Sequence, residues 1–338
     1  MIDPPKLADT DITAAIQSHY GMSTDSVTFL PIGNDSATWV YRVQTNDGRI
    51  FFLKIRSSEG FRLASLAVPT FLCDQGLDHI ISPVPTLANK MTVKLNNFTV
   101  ILYPFIDGNV GAHIGLSPQN WQTFGALARR IHSCQLPHEL LQLVPQETFI
   151  PNRRSIFTEL ETYIAKQVYK DDVERKTAAF WHARGDEICA VAEQAAVLGR
   201  RLSRQSNQMV LCHADMHTWN ILLDYNQQLW LMDWDEVVLA LKERDLMFVV
   251  GGIGGDGVGL DETATFLEGY GDSEIDIDAL AYYRCAWAVQ DITEYSQRVF
   301  FEPDSSQEAR IAAMEGFMGL FAPGDIVTTA LASTTSAE

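Results

Sequence analysis

The sequence predicts an α+β protein of two lobes, a small antiparallel β-rich N-lobe with one helix followed by a larger, mostly helical C-lobe. Three observations predict it. Up to about residue 104 the chain is built of short alternating runs rich in β-branched and aromatic residues. Beyond that point apolar residues recur at helical spacing. A second small β region, at 209–234, interrupts the helices and carries a tight pattern of polar side chains.

A short helix is expected at 8–19. Strands follow at 26–32 ("SVTFLPI"), 38–43 ("TWVYRV") and 49–56 ("RIFFLKIR"). Asn46-Asp47-Gly48 between the last two is a strong hairpin turn. A helix at 60–75 ends at Gly76, and strands are expected at 83–87, 91–95 and 98–104. In the second lobe, "SPQNWQTFGALARRIHSC" (117–134) opens with Ser117 as N-cap and Pro118 in the first turn. Further helices are expected at 155–169, 173–204, 243–250, 262–270, 277–299 and 305–320. The domain reading is 1–103 for a nucleotide-binding lobe and 104–325 for a catalytic and substrate-binding lobe. Residues 326–338 read as a disordered tail.

The 338 residues, 46% hydrophobic and 20% charged, suit a folded soluble protein. No apolar run approaches the ~20 residues of a membrane span, and no signal peptide is visible at the start. Five scattered cysteines without a CxxC pair suggest reduced thiols and a cytoplasmic protein. The net charge of −18 is unevenly spread. Residues 1–204 hold 20 acids and 20 Lys+Arg, whereas residues 205–338 hold 23 acids and 5 Lys+Arg. Such a field repels nucleic acid and anionic membranes and attracts a cationic small molecule. A monomer or weak homodimer is the expected state.

The chemistry gathers in "LCHADMHTWNILL" (211–223) and "LWLMDWDEVV" (229–238). His213, Asp215 and Asn220 fit the spacing H-x-D-x-x-x-x-N, and Asp233 ends the following apolar strand. Phosphoryl transfer needs a carboxylate to align an attacking hydroxyl and oxygen ligands for a magnesium ion on the phosphates. Asp215 suits the first need, and Asn220 with Asp233 the second. The motif alone is weak, since these residues are common in loops; Asp233 thirteen residues after Asn220 strengthens it. Lys54 lies in "FFLKIR" among apolar neighbours, where a cation wants an anionic partner. The hairpin tip "PIGNDSATW" (31–39) offers backbone amides and the Ser36 and Thr38 hydroxyls to phosphates, though by itself it is only a turn.

Lys54, "YPFIDG" (103–108), "CHADMHTWNILL", "LMDWDE" and "KERDLMF" together resemble the aminoglycoside phosphotransferase family, over about residues 10–325. Within it the chain most resembles the members that phosphorylate spectinomycin. The resemblance implies a protein-kinase-like fold and ATP or GTP with Mg²⁺ as cofactors. It implies that Asp215 positions the acceptor hydroxyl, that Asn220 and Asp233 hold the metal, and that Lys54 holds the α/β-phosphates. It places adenine against 103–106, at Pro104, Phe105 and Ile106. His213, Arg244 and Asp245 would be structural. One departure matters: kinases pair the strand lysine with a Glu on the next helix, and 60–76 contains none. Glu59 precedes that helix, so either it reaches Lys54 or the pairing is absent.

An acidic C-lobe suits a cationic acceptor. On 277–299, Ala281, Cys285, Ala288, Ile292, Tyr295 and Val299 form a core stripe. The other face carries Trp287, Asp291 and Glu294, where a ring and a carboxylate one turn apart could bind an ammonium. Glu294 and Arg298 could equally be an ordinary ion pair. Asp235 follows the metal ligand Asp233 closely, so it is expected at the acceptor, although it could instead hold the turn. "VVGGIGGDGVGL" (249–260) tempts a dinucleotide reading, but no βαβ unit surrounds it, and a loop near the acceptor is the preferred reading. Two alternatives stay open: a kinase of a small metabolic alcohol such as choline, homoserine or a ribose derivative, and a non-catalytic nucleotide-dependent binding protein.

Overall fold

A helix laid on one face of an antiparallel sheet opens the chain. In the computed structural model, which describes residues 5–32, 38–57, 62–151, 153–250, 252–253, 258–302 and 306–335, α1 (Asp9–Tyr20) precedes β1 (Thr24–Leu30), β2 (Thr38–Thr45) and β3 (Ile50–Ser57). Then come α2 (Ala64–Asp74), β4 (Val93–Leu95) and β5 (Phe98–Pro104). The sheet order is β1-β2-β3-β5-β4, and every pairing is antiparallel. Period-two alternation explains the layering. Val43, Leu53, Ile55, Val100 and Leu102 point inward and meet Ile12, Ile16 and Tyr20 of α1. The same alternation turns Lys54 and Arg56 of β3 to the other face.

The expected strand at 83–87 does not form. Pro83 and Pro85 have no N–H to donate, and the intervening Val84 amide alone reaches across to the Leu102 carbonyl, at 2.7 Å.

The chain divides into two units: residues 1–114, 135–144 and 218–237, and residues 115–134, 145–217 and 238–338. The first therefore takes more than the 1–103 expected from sequence. It adds β6 (Gly108–Val110), α3 (Gly111–Ile114) and α5 (His138–Leu141), and later a 3₁₀ turn (Thr218–Asn220), β8 (Ile221–Asp224) and β9 (Leu229–Leu231). Strands β6, β8 and β9 form a small sheet. Gly108 permits it: a Cβ there would lie 2.1 Å from the Leu223 carbonyl oxygen.

The second unit is mostly helical. It holds α4 (Pro118–His132), α6 (Arg154–Ala165), α7 (Asp172–Ala183), α8 (Gly185–Leu202), α9 (Glu243–Leu246), α10 (Leu260–Tyr270), α11 (Ile277–Phe300), α12 (Gln307–Gly319) and α13 (Ile326–Thr335). A two-stranded ribbon joins β7 (Val210–Cys212) to β10 (Val238–Ala240). The helix expected over 173–204 breaks at Arg184, where φ is −107° and ψ 14°. Gly185 removes helix propensity there, and Asp186 and Glu187 suit the N-terminus of a new helix. Residues 326–335, expected as a disordered tail, form a helix instead, with Val327 and Ala330 fully buried. Ser117 caps α4 as expected, its hydroxyl accepting from the Asn120 amide.

Helices α4 and α10 pack through a pair of glycines. A Cβ on Gly125 would fall 1.9 Å from the Phe266 carbonyl oxygen, and one on Gly269 would fall 1.9 Å from that of Gln122. Phe124 and Phe266 meet edge to face beside them, 5.3 Å apart. Replacing Gly269 with Ala should push the helices apart and cost about 1–3 kcal/mol. A thermal melt should show the loss, and an unchanged Tm would refute the close approach.

Candidate active site

One group of the site residues expected from sequence lies in the second unit and begins where β7 ends. Cys212 closes the strand, and His213 and Ala214 are buried behind Asp215. Ala214 adopts a left-handed φ of 69°, which costs a non-glycine residue energy and needs outside support. Asp245 of α9 supplies that support. Its carboxylate accepts from the His213 amide at 2.9 Å and from the Ala214 amide at 2.6 Å. His132 at the end of α4 joins the same carboxylate through Nε2 at 3.0 Å, and its Nδ1 lies 2.8 Å from the Tyr270 hydroxyl. Burial pushes the Tyr270 phenol up to about 12, so it stays protonated and donates to His132, which donates to Asp245. His132, Cys212 and Asp245 offer ligand atoms within 4.8 Å of one another. With both oxygens of Asp245 already accepting, this buried group is a brace for the loop. Asp245 is structural, as the sequence resemblance implied, and His132 is part of its support.

Asp215 has a partner that the sequence reading overlooked. His217 Nε2 lies 3.0 Å from Asp215 Oδ1. The His217 ring meets Phe248 edge-on, and Phe248 meets Trp287 edge-on, at centroid distances of 5.4 and 5.0 Å. The guanidinium of Arg244 lies over Trp287, 5.1 Å from the ring centroid. Trp287 thus serves as a wall already carrying a cation on one face. Asp291, one turn along α11, is half-buried. Burial, with the negative charges of Glu294 and Asp215 adding to it, pushes its carboxyl up to about 8; His217 and Arg244 offset this only in part. Glu294 is engaged by Arg298 at 2.7 Å and lies 3.6 Å from Arg153. Of the acidic pair expected on this helix, Asp291 is therefore the one without an ion-paired arginine among the described residues.

A second group of the site residues expected from sequence lies in the first unit. The Met232 amide donates to the Asn220 carbonyl, and Ile221 pairs with Leu231, so the β8–β9 hairpin brings residues 220 and 233 to one end. Asp233 has a left-handed φ of 61°. An amide oxygen and a carboxylate are hard donors, the chemistry magnesium takes. Lys54 Nζ lies 3.1 Å from Asp233 Oδ1 and 2.9 Å from Asp235 Oδ2. Arg56 NH1 reaches Asp235 Oδ1 at 2.7 Å. Asp235, expected at the acceptor, is instead ion-paired on both oxygens. Burial opposes its charge, but Lys54 and Arg56 outweigh burial and hold its carboxyl down at about 2. The sequence signal for Arg56 existed and went unread: K-x-R on a strand and D-x-D after one.

At 104–106, Pro104 ends β5 opposite Phe51, the Phe105 amide reaches the Ile50 carbonyl at 3.4 Å, and Arg42 lies over the Phe105 ring. The amide of Ile106 donates to no group among the described residues. Ser36 and Glu59 lie outside the described residues, as does part of the glycine-rich run at 249–260.

Residues 27–284 match the phosphotransferase enzyme family APH. No curated protein sequence matches the chain. Among solved structures, the chain is similar to spectinomycin phosphotransferase APH(9)-Ia in complex with ADP and spectinomycin. The TM-score is 0.88 at 28% identity, covering 98% of this chain and 99% of that one. The AMP-bound complex of that enzyme gives a TM-score of 0.84 at 27% identity, covering 97% and 99%. Amicoumacin kinase, solved with AMP-PNP and Ca²⁺, shares the fold at 17% identity, with a TM-score of 0.63 over 94% of this chain and 95% of that one. With a family match over most of its length and a kinase-like α+β fold, the chain belongs to the APH phosphotransferase enzyme family.

Proposed function

We propose that this phosphotransferase, which uses ATP to modify a hydroxyl group, takes a cationic aminocyclitol as its acceptor, with spectinomycin as the specific substrate. The observation that carries the reading is the acidic, ring-walled group in the second unit. Asp291, Asp215 and Glu294 interact electrostatically there, and Phe248 and Trp287 stand beside them. Three carboxylates in one place repel one another, and a bound ammonium relieves that repulsion. The likeness to a structure that holds spectinomycin supports the same reading.

In this reading the acceptor hydroxyl attacks the γ-phosphorus of ATP. A new O–P bond forms, the bond to the ADP oxygen breaks, and the hydroxyl proton passes to Asp215. His217 keeps the Asp215 carboxylate in one orientation, and Asp245 keeps the loop in place. Lys54 holds the α/β-phosphates, and Pro104, Phe105 and Ile106 line the adenine. A magnesium ion held by Asn220 and Asp233 would neutralise phosphate charge.

Incubation with ATP, magnesium and a panel of spectinomycin, other aminocyclitols, choline and homoserine tests the acceptor. Mass spectrometry should find one phosphoryl group added to spectinomycin. Transfer to choline or homoserine alone would establish a metabolic kinase, and nucleotide binding without transfer to any of them would establish a binding protein. Asp215→Asn should lower kcat by roughly 10²–10⁴-fold while ADP affinity, measured by calorimetry, stays near wild type.

Asp291 makes a pH prediction. Its folded carboxyl is raised from 3.8 to about 8, so ionisation disfavours the unliganded fold, and stability contributed by the neutral form falls as pH rises from about 4 towards 8. A cationic acceptor favours the ionised form. Acceptor affinity should therefore climb as pH rises to about 8 and then level off. Asp291→Asn should flatten that climb relative to wild type and raise the Tm at pH 8. Parallel pH profiles for the two proteins would refute the assignment.

A further inference from the structure

Strand β3 presents two cations two residues apart on one face, and the segment after β9 presents two carboxylates two residues apart. Leu53 and Ile55 are fully buried in the core on the other face of β3, which fixes where Lys54 and Arg56 point. Trp234 is buried between Asp233 and Asp235 and anchors that segment in the same way. The charges interleave in the order Asp233, Lys54, Asp235, Arg56, at 3.1, 2.9 and 2.7 Å. Both cations are well shielded, with side chains 13% and 17% exposed, so these are not loose surface pairs.

We infer that Asp235, clamped by Arg56, is the working counter-ion of Lys54 among the described residues and positions it for the nucleotide, a part for which α2 holds no glutamate. Helix α2 offers no alternative: its sequence ASLAVPTFLCD has a single acid, Asp74, at the last position. Asp233 is a poor substitute, because its carboxylate is the one a metal would engage. Asp235 has no such second task. One of its oxygens faces Lys54 and the other faces Arg56, so it separates two cations that would otherwise repel across one strand face. An acceptor ammonium would find neither oxygen free. Arg56 is a positioning residue acting through Asp235, its charge holding the oxygen that Lys54 does not reach.

The inference rests on the phosphotransferase assignment and not on the identity of the acceptor. It is therefore tested on the full chain without any acceptor, by calorimetric titration of Mg·ADP. Asp235→Asn should weaken Mg·ADP binding about tenfold, as expected for loss of a shielded charge-assisted hydrogen bond. Arg56→Met should weaken it about threefold, and Arg56→Lys should restore most of that loss. The double variant should lose less than the product of the single effects, because both act through one contact. A parallel titration with spectinomycin should show less than a twofold change in Asp235→Asn. Unchanged Mg·ADP affinity in Asp235→Asn overturns the inference, whether or not spectinomycin binding falls. If Asp235→Asn does not fold, the Arg56 pair decides: equal Mg·ADP affinity in wild type, Arg56→Met and Arg56→Lys overturns it. A purely structural role would lower the Tm in each variant without this ordering of nucleotide affinities.

Discussion

Asp245 is the residue on which the loop before Asp215 depends. A buried carboxylate is costly unless its charge is met by donors. Here the donors are the backbone amides of the two residues immediately before Asp215, together with His132. The arrangement therefore works in both directions. The amides stabilise the charge, and the charge holds Ala214 in a left-handed conformation it would otherwise leave. Tyr270 and His132 extend the hold to α10 and α4, whose close approach through Gly125 and Gly269 keeps the chain of donors in register. A function that needs one carboxylate aimed at one hydroxyl is thus supported by residues that never touch a substrate.

The two clusters of charge show opposite electrostatics. The cluster in the first unit keeps cations in a protein of net charge −18. Neighbouring acids leave Lys54 and Arg56 locally neutral, so that both are stable on one strand. The cluster in the second unit concentrates negative charge and leaves it partly unbalanced, which is visible in the raised carboxyl of Asp291. Glu294 shows the contrast on the same helix: with Arg298 at 2.7 Å and Arg153 beyond it, its charge is already met. Imbalance at Asp291 is what a cationic ligand can exploit, at the cost of stability in the unliganded protein.

Much of this was legible beforehand, and the reasons are local. The N-terminal strands were readable because period-two alternation and the Asn-Asp-Gly turn are short-range signals. The family was readable from the segment carrying Asp215, Asn220 and Asp233 because phosphoryl transfer restricts both residue types and spacing. The misses are long-range or context-dependent. The break at Arg184 lies inside an unbroken apolar periodicity, where one glycine decides. The helix at 326–335 draws its burial from the rest of the second unit, which a polar-looking tail does not reveal. The strand expected at 83–87 had the right side chains but lacked the amides.

The sequence alone determined the phosphotransferase family, because the motifs around Lys54, Asp215, Asn220 and Asp233 are identities and spacings that no packing can replace. It also determined the succession of a β-rich first part and a mostly helical second part, and the acidic character of residues 205–338. Only the tertiary structure decided partners. Asp235 pairs with Lys54 and Arg56, residues about 180 positions earlier, His217 holds Asp215, and Arg298 takes Glu294 while Asp291 on the same helix keeps a raised carboxyl. The physical reason is that a side chain's type fixes which interactions it can make, whereas burial and distance fix which of them it does make.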